Sequence, residues 1–243
     1  PPPFSSRRRH TRSRLLSRGL GDVYKRQLFG YAHVPWMAKK QRLIDEAALP
    51  GSVERRAQAE AASIALVAAG YQAIGIDHFA LPKDPLAVAA RAGTLHRNFQ
   101  GYTTDQAETL IGLGSTSIGR TPWGYVQNIS ETGAWSRAVM AGQLPVAKGH
   151  ELSAADRARA QVIEQLMCEG AADLEAVRRA YGQDDGWCDD ALANLAPMVG
   201  DNLVELDRDT VRLSEHAKPL ARVAAAAFDT YFQSARARHS VAV

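Results

Sequence analysis

The chain has 243 residues, is 46% apolar and carries a formal charge of +3. It has no apolar run long enough to span a bilayer, so a membrane-embedded class is excluded. Its two cysteines, Cys168 and Cys188, exclude a disulfide scaffold and a four-cysteine zinc or thiolate iron–sulfur set, and a reducing cytoplasm is the default compartment.

The charge is unevenly placed. Residues 1–27 hold eight bases (Arg7, Arg8, Arg9, Arg12, Arg14, Arg18, Lys25, Arg26) against one acid, Asp22. That leaves 21 bases and 25 acids for residues 28–243, which are therefore mildly acidic. The leader shows neither helical nor strand period and lacks the apolar core of a secretory signal. We expect it to be disordered and not native protein, because it resembles translated adapter sequence and ends abruptly at Gln27. A mitochondrial presequence and a basic nucleic-acid arm are the other readings.

From Leu28 the pattern becomes globular. Residues 28–34 read as a strand ended by Pro35, followed by the charged connection Lys39-Lys40-Gln41-Arg42. Pro50-Gly51 is a turn, and Ser52 caps a predicted helix over 53–69 with Gly70 as its C′ residue. Residues 71–80 are apolar and β-rich and read as one buried strand ending in Asp77-His78-Phe79. Asp84-Pro85 starts a helix. A polar, aromatic run follows, from Leu95 to Tyr102. Residues 110–118 read as a third strand, with Gly112 and Gly114 permitting close backbone approach. Pro122 starts a mostly helical stretch to Met140. Strand alternating with helix predicts an α/β layout with a parallel sheet, and three strands are too few to close a barrel.

After Pro145 the texture changes. Helices are expected over 153–169, 173–181 and 184–199. A hairpin is expected over 203–213 with its turn at Asp207-Arg208-Asp209, and a last helix over 219–238. Three helices, a hairpin and a helix resemble a winged helix. The stretch Asp184-Asp185-Gly186-Trp187-Cys188-Asp189-Asp190 is acidic, which opposes phosphate binding and DNA reading.

The chemistry-bearing residues are few. Asp77-His78 at a strand end can hold a polar ligand or form a structural hydrogen-bonded pair, and no nucleophile beside it supports a triad. His33 and His96 are metal ligands by type, but they lie with His78 in separate elements. Gly112-Leu113-Gly114-Ser115-Thr116 departs from a dinucleotide fingerprint, since the third glycine, Gly119, falls late. Glycines that let a flat ligand lie on a strand suit the run better. The two cysteines read as buried thiols. No catalytic residue and no metal ligand is singled out.

Several motifs together carry a family resemblance. They are Tyr31-Ala32-His33-Val34-Pro35, Gly75-Ile76-Asp77-His78-Phe79-Ala80, the run Leu95-His96-Arg97-Asn98-Phe99-Gln100-Gly101-Tyr102-Thr103-Thr104, and Gly112-Leu113-Gly114 with Ser117-Ile118. With Phe228-Asp229-Thr230-Tyr231 they resemble oxygen-independent coproporphyrinogen III oxidase, over about residues 28–243. That family consists of radical S-adenosylmethionine (SAM) enzymes. The resemblance implies the carboxyl-terminal half of such an enzyme. Residues 28–145 would be part of an incomplete, TIM-like radical SAM barrel, and 146–243 a mostly helical domain covering the active site. It implies a [4Fe–4S] cluster and S-adenosylmethionine in the parent protein. Its 5′-deoxyadenosyl radical abstracts hydrogen from a propionate of coproporphyrinogen III, and loss of CO₂ and an electron leaves a vinyl group. Two rounds give protoporphyrinogen IX, in heme biosynthesis.

Ala32 and Ile118 would belong to the S-adenosylmethionine sites, with Phe29 and Gln100 nearby. The family usually has Asn where this chain has Gly30, and its C-x-x-x-C-x-x-C cluster motif is missing from this sequence. The chain alone is therefore expected to be inactive. The implied partners are coproporphyrinogen III and an electron donor, for a cytoplasmic monomer with no nucleic acid and no membrane. A heme-chaperone-like relative and a winged-helix nucleic-acid-binding module are the alternatives.

Overall fold

A computed structural model describes residues 24–36, 38–99 and 101–232. They divide into two compact units, one running to Val88 and one from Ala89. All strand pairs among the described residues are antiparallel. They form three three-stranded sheets and one two-stranded sheet, none of them closed. The mixed helix-and-sheet composition expected from the sequence is present; the parallel sheet is not.

The first unit is built on the sheet β1 (Lys25–Gln27), β3 (His78–Ala80) and β2 (Gln72–Ile74), with β3 in the middle. Gln27 and Ile74 both face His78 across it. The single strand expected over 71–80 is thus a hairpin. Gly75 adopts φ 59° at its turn, a left-handed value that glycine takes without steric cost, so the chain folds back after Ile74. The strand expected over 28–34 is irregular, and the strand forms just before it, inside the stretch taken as leader. Residues 1–23 of that stretch lie outside the described residues.

Helix α1 (Ser52–Ala68) forms as predicted, but its N-cap is Gly51, not Ser52. Glu54 reaches back to accept from Gly51 N at 3.1 Å. Gly70, at φ 89°, lies just beyond the end. Short 3-10 turns occupy Lys39–Leu43 and Glu46–Ala48, where a plain connection was expected. Helix α2 (Pro85–Ala92) starts as Asp84-Pro85 predicts, with Asp84 Oδ1 accepting from Leu86 N at 2.8 Å.

The second unit opens with the hairpin β4 (His96–Asn98) and β5 (Gly101–Thr103). Next comes the sheet β6 (Ile118–Thr121), β7 (Gly124–Asn128) and β8 (Val146–Glu151), with α3 (Thr132–Met140) between β7 and β8. Two expectations fail here. The strand expected over 110–118 forms only after Ser117, because positive φ at Gly114 and Thr116 breaks the extended chain. Leu110 alone bridges to Arg120. The helix expected from Pro122 is a strand first. Pro122-Trp123 makes a two-residue turn, and Tyr125 and Val126 suit a pleated surface.

The remainder is α4 (Ala154–Glu169), β9 (Ala171–Asp173), α5 (Leu174–Tyr181), α6 (Asp189–Gly200), β10 (Val204–Asp207) and β11 (Thr210–Leu213). A 3-10 turn (Glu215–Leu220) and α7 (Ala221–Ala226) follow. Ser153 caps α4 by accepting from Asp156 N, and Asp156 returns the bond to Ser153 N. Asp173 caps α5. The strands order β10-β11-β9, so the predicted hairpin gains a third strand that the sequence reading missed. Helix α6 starts at Asp189, not 184. The last helix is shorter than expected, and residues 233–238 of it lie outside the described residues. Ala158, Val162 and Leu166 repeat at i, i+4 along α4 and are fully buried. They share the core of this unit with Leu195, Val204, Val211 and Phe228.

Candidate functional site

In the first unit the sequence-predicted residues fall on two short stretches. His78 opens β3 and is 8% exposed. Its Nδ1 lies 2.7 Å from Asp77 Oδ1, and Asp77 Oδ2 accepts from Gln27 Nε2 at 3.4 Å. Asp77 O also accepts from Leu28 N at 2.9 Å. Asp77-His78 thus ties the strand junction together, and the pair has no serine or cysteine partner in these contacts.

Residues 31–34 are pinned from two sides. Ala32 is exposed, and its carbonyl accepts from Gln41 Nε2 at 2.9 Å, while Gln41 Oε1 accepts from Val34 N at 2.6 Å. Arg55 Nη2 donates to Tyr31 O at 3.2 Å. His33 is engaged by Tyr31 Oη at 3.1 Å and by Glu46 at 3.0 Å. It is therefore held between a tyrosine hydroxyl and a carboxylate, and no metal set gathers around it among the described residues. Phe29 is 74% exposed. A Cβ at Gly30 would come within 2.8 Å of Arg55 Nη2, the far end of a flexible side chain that can move aside for it.

In the second unit Ile118 opens β6, half-buried and opposite Gln127. The loop before it is laced to β7. Asn128 Nδ2 donates to the carbonyls of Gly112 (3.1 Å) and Gly114 (2.9 Å), and Gln127 Nε2 donates to Thr116 O at 3.2 Å. A Cβ on Gly112 would lie 2.9 Å from Ile118 C, so glycine is what lets this loop close on the strand. The loop is held by side-chain amides and does not open a helix, which removes the phosphate-cradle reading. Gln127 and Asn128 were missed in the sequence because they sit in a stretch read as helix.

The run from Leu95 to Tyr102 is the β4–β5 hairpin, seated on α4. Glu164 Oε1 accepts from Arg97 N at 3.2 Å and lies 3.1 Å from His96 Nδ1. Tyr102 Oη donates to Met167 O at 2.8 Å in a buried bond. The Arg97 guanidinium stands 4.4 Å over the Tyr102 ring. At the turn, Phe99 meets Tyr125 edge-on at 5.5 Å. Gln100 lies outside the described residues. Beside this hairpin, burial pushes the Cys168 thiol up to about 12, with Glu164 and Glu169 adding to the rise and Arg97 opposing it. Burial raises Cys188 as well. Neither thiol is poised as a ligand or nucleophile.

Among the described residues no group of three His, Cys, Asp or Glu side chains is placed to hold a metal ion. These residues do not fit an iron–sulfur cluster. No helix among them is long and apolar enough to cross a membrane. Sequence-predicted Ala32, Phe29 and His78 lie in the first unit, and Ile118 and His96 in the second.

No family model matches the chain. The fold itself is informative: it superposes on the coproporphyrinogen III oxidase of Escherichia coli, a radical SAM enzyme, with a TM-score of 0.80 and 32% identity. The match covers 92% of this chain and 52% of that one. The fold described above is thus that of a radical SAM protein over the part matched. More specifically, the sequence is similar to oxygen-independent coproporphyrinogen III oxidases. It is 45% identical over 216 residues to that of Bradyrhizobium diazoefficiens, covering 89% of this chain and 48% of the relative. The Paracoccus denitrificans protein matches equally well, and an anaerobic coproporphyrinogen III oxidase of Cereibacter sphaeroides is 42% identical. The resemblance carried by the motifs is therefore borne out. The chain spans about half the length of the curated relatives it matches.

Proposed function

We propose that this chain is part of a radical SAM enzyme that oxidatively decarboxylates coproporphyrinogen III to protoporphyrinogen IX in heme biosynthesis. The supporting observation is the 45% identity over 216 residues, which includes the His96–Thr103 hairpin that the structure seats on α4. In this reading residues 28–145 belong to an incomplete barrel, and residues 146–243 form a winged-helix-like domain that covers substrate. The order helix, strand, helix, helix, hairpin from α4 to β11 supports that domain.

Each unit carries residues that the resemblance assigns to S-adenosylmethionine. In the first they are Ala32 and Phe29, and in the second Ile118 and Gln100. Ile118 fits the role in kind. It is apolar, half-buried and at a strand start beside glycines, where a flat adenosine face can rest. When bound, S-adenosylmethionine supplies the radical that takes a propionate hydrogen. The cluster that reduces it is a matter for the part of the enzyme not spanned here, since the described residues do not fit one. An electron donor is required, and the chain is read as a cytoplasmic monomer.

The test is a hybrid in which the 216 matched residues of this chain replace those of the Bradyrhizobium protein. Anaerobic turnover of coproporphyrinogen III with S-adenosylmethionine and a reductant is expected from the hybrid and not from this chain alone. A folded, cluster-loaded hybrid that makes no protoporphyrinogen IX defeats the proposal. Turnover by this chain alone defeats the reading of it as one part of the catalyst.

A further inference from the structure

Helix α4 grips the β4–β5 hairpin through one turn of its surface. Glu164, Met167 and Cys168 stand at i, i+3 and i+4 and so share a face. From that face Glu164 Oε1 takes Arg97 N and reaches His96 Nδ1, fixing β4 at two consecutive residues. Met167 O takes the Tyr102 hydroxyl, fixing β5. Arg97 stacked on Tyr102 closes the ring of contacts.

The grip extends beyond the hairpin. Its turn sets Phe99 against Tyr125 of β7. Tyr125 pairs with Arg120 of β6, and Ile118 opens that strand. A continuous run of direct contacts within the second unit therefore links Glu164 to the strand on which Ile118 stands.

We propose that Glu164 is a positioning residue: it seats the β4–β5 hairpin on α4 and, through Phe99 and Tyr125, sets the β6–β7 pair that presents Ile118. The functional meaning of this rests on the proposed role of Ile118 in binding S-adenosylmethionine. Glu164 touches neither cofactor nor substrate in this assignment. Its effect is exerted on where Ile118 sits.

The experiment uses the 243-residue chain and compares amide hydrogen exchange in wild type, Glu164→Ala, Glu164→Gln and Phe99→Ala. In Glu164→Ala the β4–β5 amides should exchange about tenfold faster and the β6–β7 amides a few-fold faster, with β10–β11 as an unchanged internal control. Glu164→Gln should restore most of both, since an amide oxygen accepts the same two bonds. Phe99→Ala should loosen β6–β7 while leaving β4–β5 protected. Unchanged β4–β5 exchange in Glu164→Ala overturns the seating role. Faster β4–β5 exchange with β6–β7 unchanged overturns the link to Ile118. A uniform rise that includes β10–β11 shows a general loss of stability, and also overturns the proposal.

S-adenosylmethionine itself is the second probe, added to the cluster-loaded hybrid with the Bradyrhizobium protein carrying the same substitutions. Its dissociation constant should rise about tenfold in Glu164→Ala and recover in Glu164→Gln, at nearly constant melting temperature. An unaltered dissociation constant shows a merely structural seat. Failure of the folded, cluster-loaded wild-type hybrid to bind S-adenosylmethionine, with the exchange pattern as expected, instead strikes at the cofactor reading of Ile118.

Discussion

Cys168 shows how burial decides what a side chain can do. Its thiol is pushed up to about 12 by burial first, with Glu164 and Glu169 adding to the rise against the opposition of Arg97. A folded-state value above the ordinary 9.0 means that folding favours the neutral thiol. The stability tied to that preference is fully present below pH 9 and is lost as pH rises from 9 toward 12. Replacing Cys168 by Ala should therefore shrink the alkaline loss of stability, read as the urea midpoint at neutral pH against that near pH 10.5. At pH 8 the native thiol, half-buried and held protonated, should label with a disulfide reagent more slowly than the same thiol in the urea-unfolded chain. A burst of labelling at Cys168 in the native chain would contradict this account. At this scale the sequence was legible in part: both cysteines read as buried thiols, and Cys188 is buried while Cys168 is half-buried. It was not legible in partner, because the Glu164 carboxylate that engages His96 and Arg97 lies 68 residues from His96 in the chain.

At the scale of elements, the close approach of β7 and β8 is the most exacting contact. Gly124 pairs with Glu151, and a Cβ on Gly124 would run into the His150 backbone carbonyl. Backbone atoms in a central ladder cannot step aside as the end of a flexible side chain can. Gly124→Ala should therefore cost roughly 1–3 kcal/mol and loosen β8, read as a lowered urea midpoint and faster amide exchange in β7 and β8. An unchanged midpoint would mean that the two strands separate freely. This sheet was also where sequence reading failed most. Helix starts at Asp84-Pro85 and Ser153 and the helix end at Gly70 were legible as local signals, whereas the cap of α1 is Gly51 and not the expected Ser52. Strands of three to six residues leave too few periods to count. The run 71–80 was therefore read as one strand, where a turn at Gly75 splits it, and the stretch from Pro122 was read as helix, where a strand comes first. The family motifs were legible despite this, because a motif such as His96-Arg97-Asn98-Phe99 is recognised by residue identity, whatever the strand direction.

At the scale of the whole chain, charge separates the two classes of function that the helix-and-hairpin module could serve. Asp184 and Asp185 lie between α5 and α6, Asp189 and Asp190 open α6, and the strong bases beside them are committed. The Arg159 guanidinium donates to Asp190 at 2.7 Å and to the Trp187 carbonyl at 3.0 Å, with its side chain 11% exposed. A helix that must meet phosphates cannot do so behind a row of carboxylates whose neighbouring arginines are already paired, Arg159 with Asp190 and Arg178 with Glu175 and Asp185. The basic surplus lies instead in residues 1–23, which hold six bases and one acid, leaving 23 bases and 25 acids for residues 24–243. Cutting before Tyr24 keeps β1 and its pairing with β3. The intact chain should therefore show weak duplex-DNA binding that collapses with salt, at about −0.9 in log K per phosphate contact, whereas residues 24–243 should show none at about 100 mM salt. Retained binding by residues 24–243 would restore the nucleic-acid module as the better account of α4 to β11. Its loss leaves an acidic, helical module with no use for phosphates.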